Sequence, residues 1–221
     1  MPPRCFLIRH GQTDWNLAQR IQGHADLPLN ASGLDQARCL AGYFTGQPVT
    51  ALYTSHLTRS LQTAHAIAEQ TGLNIVIDPD LAEIQLGEWE GLTGPEVDLR
   101  YDGAYALWQV SPSRVRIPGA EPLPAFRARA RNAFARIARQ HPDGRVVIVT
   151  HGGVIASLLA ECLDADYDAL LRRLALDNAG ISALEHATQP PQVLWINATW
   201  HLSPPQDTPI LRDAVTPYDG R

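Results

Sequence analysis

Two histidines stand where an apolar run ends and glycine begins: Arg9-His10-Gly11 after Cys5 to Ile8, and His151-Gly152-Gly153 after Arg145 to Thr150. An imidazole in such a place can serve as a nucleophile or carry a proton near neutral pH. Arg9 adjoins the first histidine, and Arg59 follows the run Ala51 to Ser55 near the start of a helical segment. Two guanidiniums at one rim would suit a phosphate, because their planar forks give paired hydrogen bonds to a tetrahedral oxyanion. Glu83, in LAEIQLGEWEG, comes after a further strand and turn. Taken alone it reads as a solvated carboxylate, and either histidine alone reads as structural. The repeated pattern of strand end, histidine and glycine is what points to one pocket. Gly11 would let the backbone approach a bound group, Gln12, Thr13 and Asn16 would supply neutral donors, and amides at the helix start near Gly152 would favour an anion.

These residues need a scaffold that brings strand ends together. Strand-like runs occur at Cys5 to Ile8, Val49 to Ser55, Leu73 to Asp78, Arg145 to Thr150, Ile181 to His186 and Gln192 to Asn197. Helical periods alternate with them. One opens at Ser32 with Asp35 three residues on, a capping-box-like signal, and places Leu34, Ala37, Leu40 and Phe44 on one face. Others span Leu57 to Gln70 (Leu61, Ala64, Ile67 and Ala68 inward), Leu123 to Gln140 (Phe126, Ala130, Ala133, Phe134 and Ile137 inward) and the nearly all-apolar Val154 to Leu163. The pattern predicts a single-domain, three-layer α/β/α sandwich with a mostly parallel central sheet. Ligands of such sheets bind outside the carboxyl ends of the strands. The domain is read as residues 1–200, with an inserted cap at about 92–121 carrying Tyr101, Tyr105, Trp108, Arg114 and Arg116, and a proline-rich tail at 201–221. Trp108 is the candidate substrate contact, while Trp15, Trp89 and Trp195 are read as core or wall.

Composition narrows the chemistry. All 18 basic residues are arginine, so no lysine Schiff base, phosphate-loop lysine or lysine base is available. A formal charge of −5 offers no attraction to nucleic acid or to an anionic membrane. The five arginines of the Leu123 to Gln140 helix (127, 129, 131, 136 and 139) make no single stripe and read as a solvated face. Cys5, Cys39 and Cys162 have neither disulfide nor metal-ligand spacing and read as reduced core thiols. The start MPPRCFLIRH has no signal-peptide apolar stretch, and no apolar run is long enough to span a bilayer. A soluble, cytoplasmic protein is expected.

The sequence LIRHGQTDWN, then YTSHLTRSLQTA, LAEIQLGEWEG and VTHGG, in that order, resembles the histidine phosphatase superfamily in its phosphoglycerate-mutase-like branch, over most of residues 4 to 187. The resemblance implies that His10 is a nucleophile phosphorylated during turnover, with Arg9, Arg59 and His151 forming the phosphate pocket. It implies that Asn16, Gln22, Gly23 and Gly152 complete that pocket, and that Glu83 gives a proton to the leaving oxygen. It also implies that neither a metal nor a cofactor is needed. Pro118 to Glu121 resembles the family's proline-glycine-glycine-glutamate turn, with Ala120 in place of the second glycine, and Asn178 to Gly180 resembles a structural family segment. Cationic neighbours and burial would keep His10 neutral for attack, whereas Glu83 must hold a proton beside arginines, a conflict that a bound phosphate dianion and loss of water would relieve.

Phosphatases and mutases share this pattern. Only residues 84–150 separate Glu83 from His151, too few for the longer insertion that closes the site in cofactor-dependent phosphoglycerate mutases. A phosphomonoester hydrolase for a small sugar- or glycerate-type phosphate is therefore expected, with the mutase and a non-catalytic phosphate-binding protein as alternatives. The expected partner is a small-molecule phosphate ester, with no nucleic acid and no membrane. A homodimer remains compatible with the sequence.

Overall fold

A computed structural model describes residues 2–202. Most of the tail read at 201–221 therefore lies outside the described residues. Only His201 and Leu202 are seen, at the end of a 3-10 turn begun by Trp200.

Six strands form one sheet: β1 (Arg4–Arg9), β2 (Ala51–Thr54), β3 (Ile75–Ile77), β4 (Arg145–Thr150), β5 (Ile181–Glu185) and β6 (Gln192–Ala198), in the order β3-β2-β4-β1-β5-β6. β1 to β4 are mutually parallel, and β5 runs antiparallel to both β1 and β6. Side chains alternate along each strand, and both faces are covered. Cys5 and Leu7 of β1, with Val146 and Ile148 of β4, face one core, while Phe6, Ile8, Val147 and Val149 face the other.

The first core is roofed by α6 (Leu123–Gln140) and α7 (Gly152–Cys162), the second by α2 (Ala31–Phe44) and α3 (Thr58–Thr71). Each fully buried Leu, Ile or Phe adds about 1.5–3 kcal/mol of transfer energy. α3 ends at Gly72, whose φ of +71° is the left-handed conformation glycine adopts without strain.

Several local expectations are corrected. The cap of α2 is Asn30, whose side chain accepts from the Gly33 amide, so Ser32 falls inside the first turn. The buried stripe of α2 runs through Gly33, Ala37, Leu40, Ala41 and Phe44, which leaves Leu34 40% exposed. Cys39 is on the solvent side of the same helix, not in the core. The inward face of α3 is partly polar: Arg59, Ser60 and Thr63 are buried, whereas Leu61 and Ala68 are half-buried. Ser60 Oγ donates to the Val149 carbonyl at 3.0 Å, so this helix meets the sheet through hydrogen bonds as well as apolar contact.

Between Leu92 and Glu121 lie α4 (Gly94–Arg100) and α5 (Ala104–Val110). Tyr101, Tyr105 and Trp108 all gather on the buried Trp89, with Trp108 edge-on at 5.9 Å between centroids. That packing fastens the segment to the body, with Trp108 half-buried against the core. The shorter helices α1 (Asp14–Leu17) and α8 (Tyr167–Leu171) complete the fold.

Candidate active site

The register of the sheet builds the site. Arg9 is paired with Thr150 across β1 and β4, so His10 and His151 leave adjacent strands at the same level, and the His10 amide donates to the Thr150 carbonyl at 3.0 Å. Their rings lie 5.1 Å apart. His10 is 3% exposed and His151 fully buried. Nδ1 of His10 lies 2.7 Å from the Gly11 carbonyl, which can only accept, so the ring proton sits on Nδ1. Nε2 is left as an acceptor, and Arg59 Nε donates to it at 3.2 Å. Burial first, then Arg59 and Arg9, hold the His10 pKa well below the usual histidine range. The imidazole is therefore neutral at pH 7, with a lone pair in the pocket.

Arg59 comes from the first turn of α3 and is 1% exposed. Its Nη1 donates to the Ala25 carbonyl and its Nη2 to the Gly23 carbonyl, each at 2.8 Å. With Nε on His10, three of a guanidinium's five N–H groups are engaged and two remain for an oxyanion. Arg9 donates from Nη1 to the Leu176 carbonyl, while its buried Nε has no protein partner. Burial pushes both guanidiniums down from the ordinary arginine range, and the Glu83 carboxylate draws them back up. His151 joins Ser55 Oγ at 2.7 Å through Nε2, and its buried Nδ1 is without a protein partner. Burial, followed by Arg59, His10, Arg9 and His24, keeps this ring neutral as well.

Glu83 faces the same strand ends. Its Oε2 accepts from the Gly153 amide in the first turn of α7 at 3.0 Å, and its Oε1 accepts from the Ile84 amide at 2.9 Å. A Cβ on Gly153 would come within 2.3 Å of Oε1, so a larger residue there would displace the carboxylate from this seat. Gly152 opens α7, and a Cβ there would lie 3.7 Å from Arg9 Nε.

The other expected residues are joined to the frame by hydrogen bonds. Asn16 Oδ1 accepts from the Thr13 amide and from Asn178 Nδ2, each at 3.1 Å, and Gln22 Oε1 accepts from Thr13 Oγ1 at 3.1 Å. Gly23 contributes its carbonyl to Arg59. Gly11 makes a close contact that spacing did not foresee: a Cβ would lie 2.6 Å from the Gly33 carbonyl, so the missing side chain admits α2.

Residues that the sequence left unmarked, or read as structural or solvated, are also prominent. Thr63 Oγ1 accepts from the Gly11 amide at 3.0 Å and donates to the Arg59 carbonyl at 2.8 Å. Asn178 Nδ2 donates to the His10 carbonyl at 3.1 Å. Arg129 is not solvated: it binds the carbonyls of Asp80, Ala82 and Glu83 and pairs through two nitrogens with Glu121. Arg127 stacks on Tyr167, and Arg136 bonds to Asp78 and Asp80. The spacing of Thr63 and Arg129 in the sequence carries no signal of these partners. Among the described residues, no three His, Cys, Asp or Glu side chains gather as a metal-ligand set, and no helix is long and apolar enough to cross a membrane.

The chain also has relatives among known proteins. The model of the histidine phosphatase superfamily (branch 1) matches residues 5–199. The chain is 34% identical to a probable phosphoglycerate mutase of Serratia proteamaculans, over 88% of each chain. It is also 34% identical to a glucosyl-3-phosphoglycerate phosphatase of Mycobacterium tuberculosis, over 72% of this chain and 75% of that one. Among solved structures, the Bacillus stearothermophilus protein YhfR superposes with a TM-score of 0.84 at 30% identity, covering 91% of this chain and all of that one.

Proposed function

The chain belongs to the histidine phosphatase superfamily, and from that premise we propose that it hydrolyses small organic phosphomonoesters through a phosphohistidine formed on Nε2 of His10. The observation that carries the reading is the fixed tautomer of His10, with its proton held by the Gly11 carbonyl and its lone pair beside the Arg59 guanidinium. In the first step Nε2 attacks phosphorus in line, the P–O bond breaks, and the leaving oxygen takes a proton from Glu83. In the second, water attacks phosphorus, Glu83 as carboxylate takes its proton, and the P–N bond returns its electrons to His10 as inorganic phosphate departs. Arg9, Arg59 and His151 stabilise charge on the equatorial oxygens, where positioning and electrostatics account for most of the catalysis of phosphoryl transfer. The charge of the two arginines takes the place of a metal ion, and neither metal nor organic cofactor enters the scheme.

The substrate class is a sugar- or glycerate-type phosphate, supported by the phosphatase relative that acts on glucosyl-3-phosphoglycerate and by Arg114 and Arg116 in the inserted segment. That segment, at about 92–121, is the proposed cap of a single catalytic domain over residues 1–200. A cytoplasmic location suits such substrates. The mutase reading draws on the relative named as a probable phosphoglycerate mutase.

One assay separates these readings: phosphate release from sugar phosphates, phosphoglycerates and p-nitrophenyl phosphate, with and without chelator, together with acid-labile labelling of His10. Hydrolysis that survives chelator and labels His10 supports the proposal. Transfer between phosphoglycerates dependent on bisphosphoglycerate, without net phosphate release, selects the mutase. Binding without labelling or turnover removes catalysis altogether.

A further inference from the structure

The segment Gly23 to Ala25 lies between Arg59 and Glu83 and touches both. Its flanking carbonyls, those of Gly23 and Ala25, each accept from Arg59 at 2.8 Å. The residue between them turns the other way: His24 Nε2 lies 2.7 Å from the Glu83 carbonyl, which can only accept, so the imidazole donates. The strap is seated at one further point. The His24 amide donates to Glu90 Oε1 at 2.9 Å, and the same oxygen takes the Leu86 amide at 2.9 Å, tying the strap to the loop that carries Glu83. Gly23 has a φ of +51°, and a Cβ there would fall 2.2 Å from Glu90 Oε1, so the close seating depends on glycine.

We infer that His24 is a positioning residue: its ring, acting through the Glu83 carbonyl, fixes the leaving-group acid at a set separation from the phosphate-binding Arg59. The inference rests on the roles given to Glu83 and Arg59 above. A peptide whose backbone holds one group and whose side chain holds the other works as a spacer, and in-line transfer requires the acid and the phosphoryl pocket to be in register at once. Arg129 Nη2 grips the same Glu83 carbonyl from α6 at 2.7 Å. Loss of the His24 ring therefore leaves the strap joined to this loop only through Glu90, with no direct hold on the Glu83 backbone itself. His24 thus governs alignment more than folding.

The experiment compares the wild-type chain with His24→Phe, which keeps a ring but loses the donor, and His24→Gln, whose amide nitrogen reaches toward the place of Nε2. Each is assayed for kcat/KM on an alkyl phosphate and on p-nitrophenyl phosphate, for inhibition by inorganic phosphate, and for Tm. His24→Phe is expected to lose about 10- to 100-fold on the alkyl ester, since misplacing a reacting group by about 1 Å costs that order. The loss on p-nitrophenyl phosphate should stay within about 3-fold, because that leaving group needs little protonation. Phosphate inhibition and Tm stay near wild type, and His24→Gln recovers most of the alkyl-ester rate.

Equal losses on both esters, an undiminished His24→Phe enzyme, or no recovery in His24→Gln with Tm intact would each overturn the positioning role. A wild-type chain that hydrolyses neither ester overturns the proposed function, and this inference with it.

Discussion

Arg59 Nε and His10 Nε2 meet at 3.2 Å, so the nucleophilic lone pair and a positive charge share one hydrogen bond. The bond can exist only while His10 is unprotonated at that nitrogen, which makes Arg59 both a binding group and a guard on the protonation state of its neighbour. Removing the charge in Arg59→Gln should therefore lower kcat/KM by about 10²–10³-fold, the usual cost of one preorganised donor. It should also let the His10 pKa rise toward the ordinary range, since Arg59 stands next after burial among the causes that depress it. Imidazole titration by NMR in the two proteins checks the second effect, and an unchanged titration would remove the electrostatic account.

Stability should decline in acid over a defined window. His10 and His151 both have pKa values well below the ordinary 6.5 when folded, with burial as the main cause. In the unfolded chain they titrate near 6.5. Above that pH both states hold the rings neutral and the stabilising difference is fully present. As pH falls below it, the unfolded state binds protons that the folded state refuses, so stability is lost progressively down to the depressed values. The slope is at most about 1.4 kcal/mol per pH unit for each ring. Denaturant unfolding between pH 7.5 and 5 measures it, and His151→Asn should show a shallower decline than wild type.

For Glu83→Gln, the loss on alkyl phosphates should reach about 10²–10⁴-fold, with a clearly smaller loss on p-nitrophenyl phosphate. Rates on both ester types decide it. An equal loss would mean that the carboxylate acts through its bonds to the Gly153 and Ile84 amides, holding α7, and not as an acid.

The contact between Gly11 and Gly33 is open to a test of packing. A Cβ on Gly33 would lie 2.1 Å from the Gln12 carbonyl, and one on Gly11 would lie 2.6 Å from the Gly33 carbonyl. Backbone must move in either case. Gly11→Ala and Gly33→Ala should each cost about 1–3 kcal/mol, as overpacked sites do, whereas Gly42→Ala on the same helix, where a Cβ meets nothing within 4 Å, should not destabilise the chain. Urea midpoints of the three variants provide the comparison.

The strand ends were readable because their signal is local. Continuous apolar runs end at Arg9 and at Thr150, and the histidines follow directly; parallel pairing of β1 with β4 then sets them side by side. Helix α6 was legible for the same reason, its inward residues recurring at helical spacing from Phe126 to Ile137. What escaped depends on backbone direction. Nothing in the spacing of Arg129 tells which carbonyls will turn toward it, and three do, from residues 80 to 83. The polar inward face of α3 was hidden because hydrophobic periodicity assigns Ser60 and Thr63 to solvent, while their real partners are a strand carbonyl and a loop amide. Asn30 and Ser32 are equally good caps by type, and only the turn of the chain decides between them.

That polar seam has a mechanical outcome. A purely apolar contact holds a helix in its groove by shape alone. Ser60 locked to the Val149 carbonyl and Thr63 bridging Gly11 to Arg59 allow no intermediate stops. On warming, the guanidinium should hold its station until the lock opens as a whole, so specific activity would follow an ordinary Arrhenius rise to the melting point and then collapse, with no gradual fading beforehand.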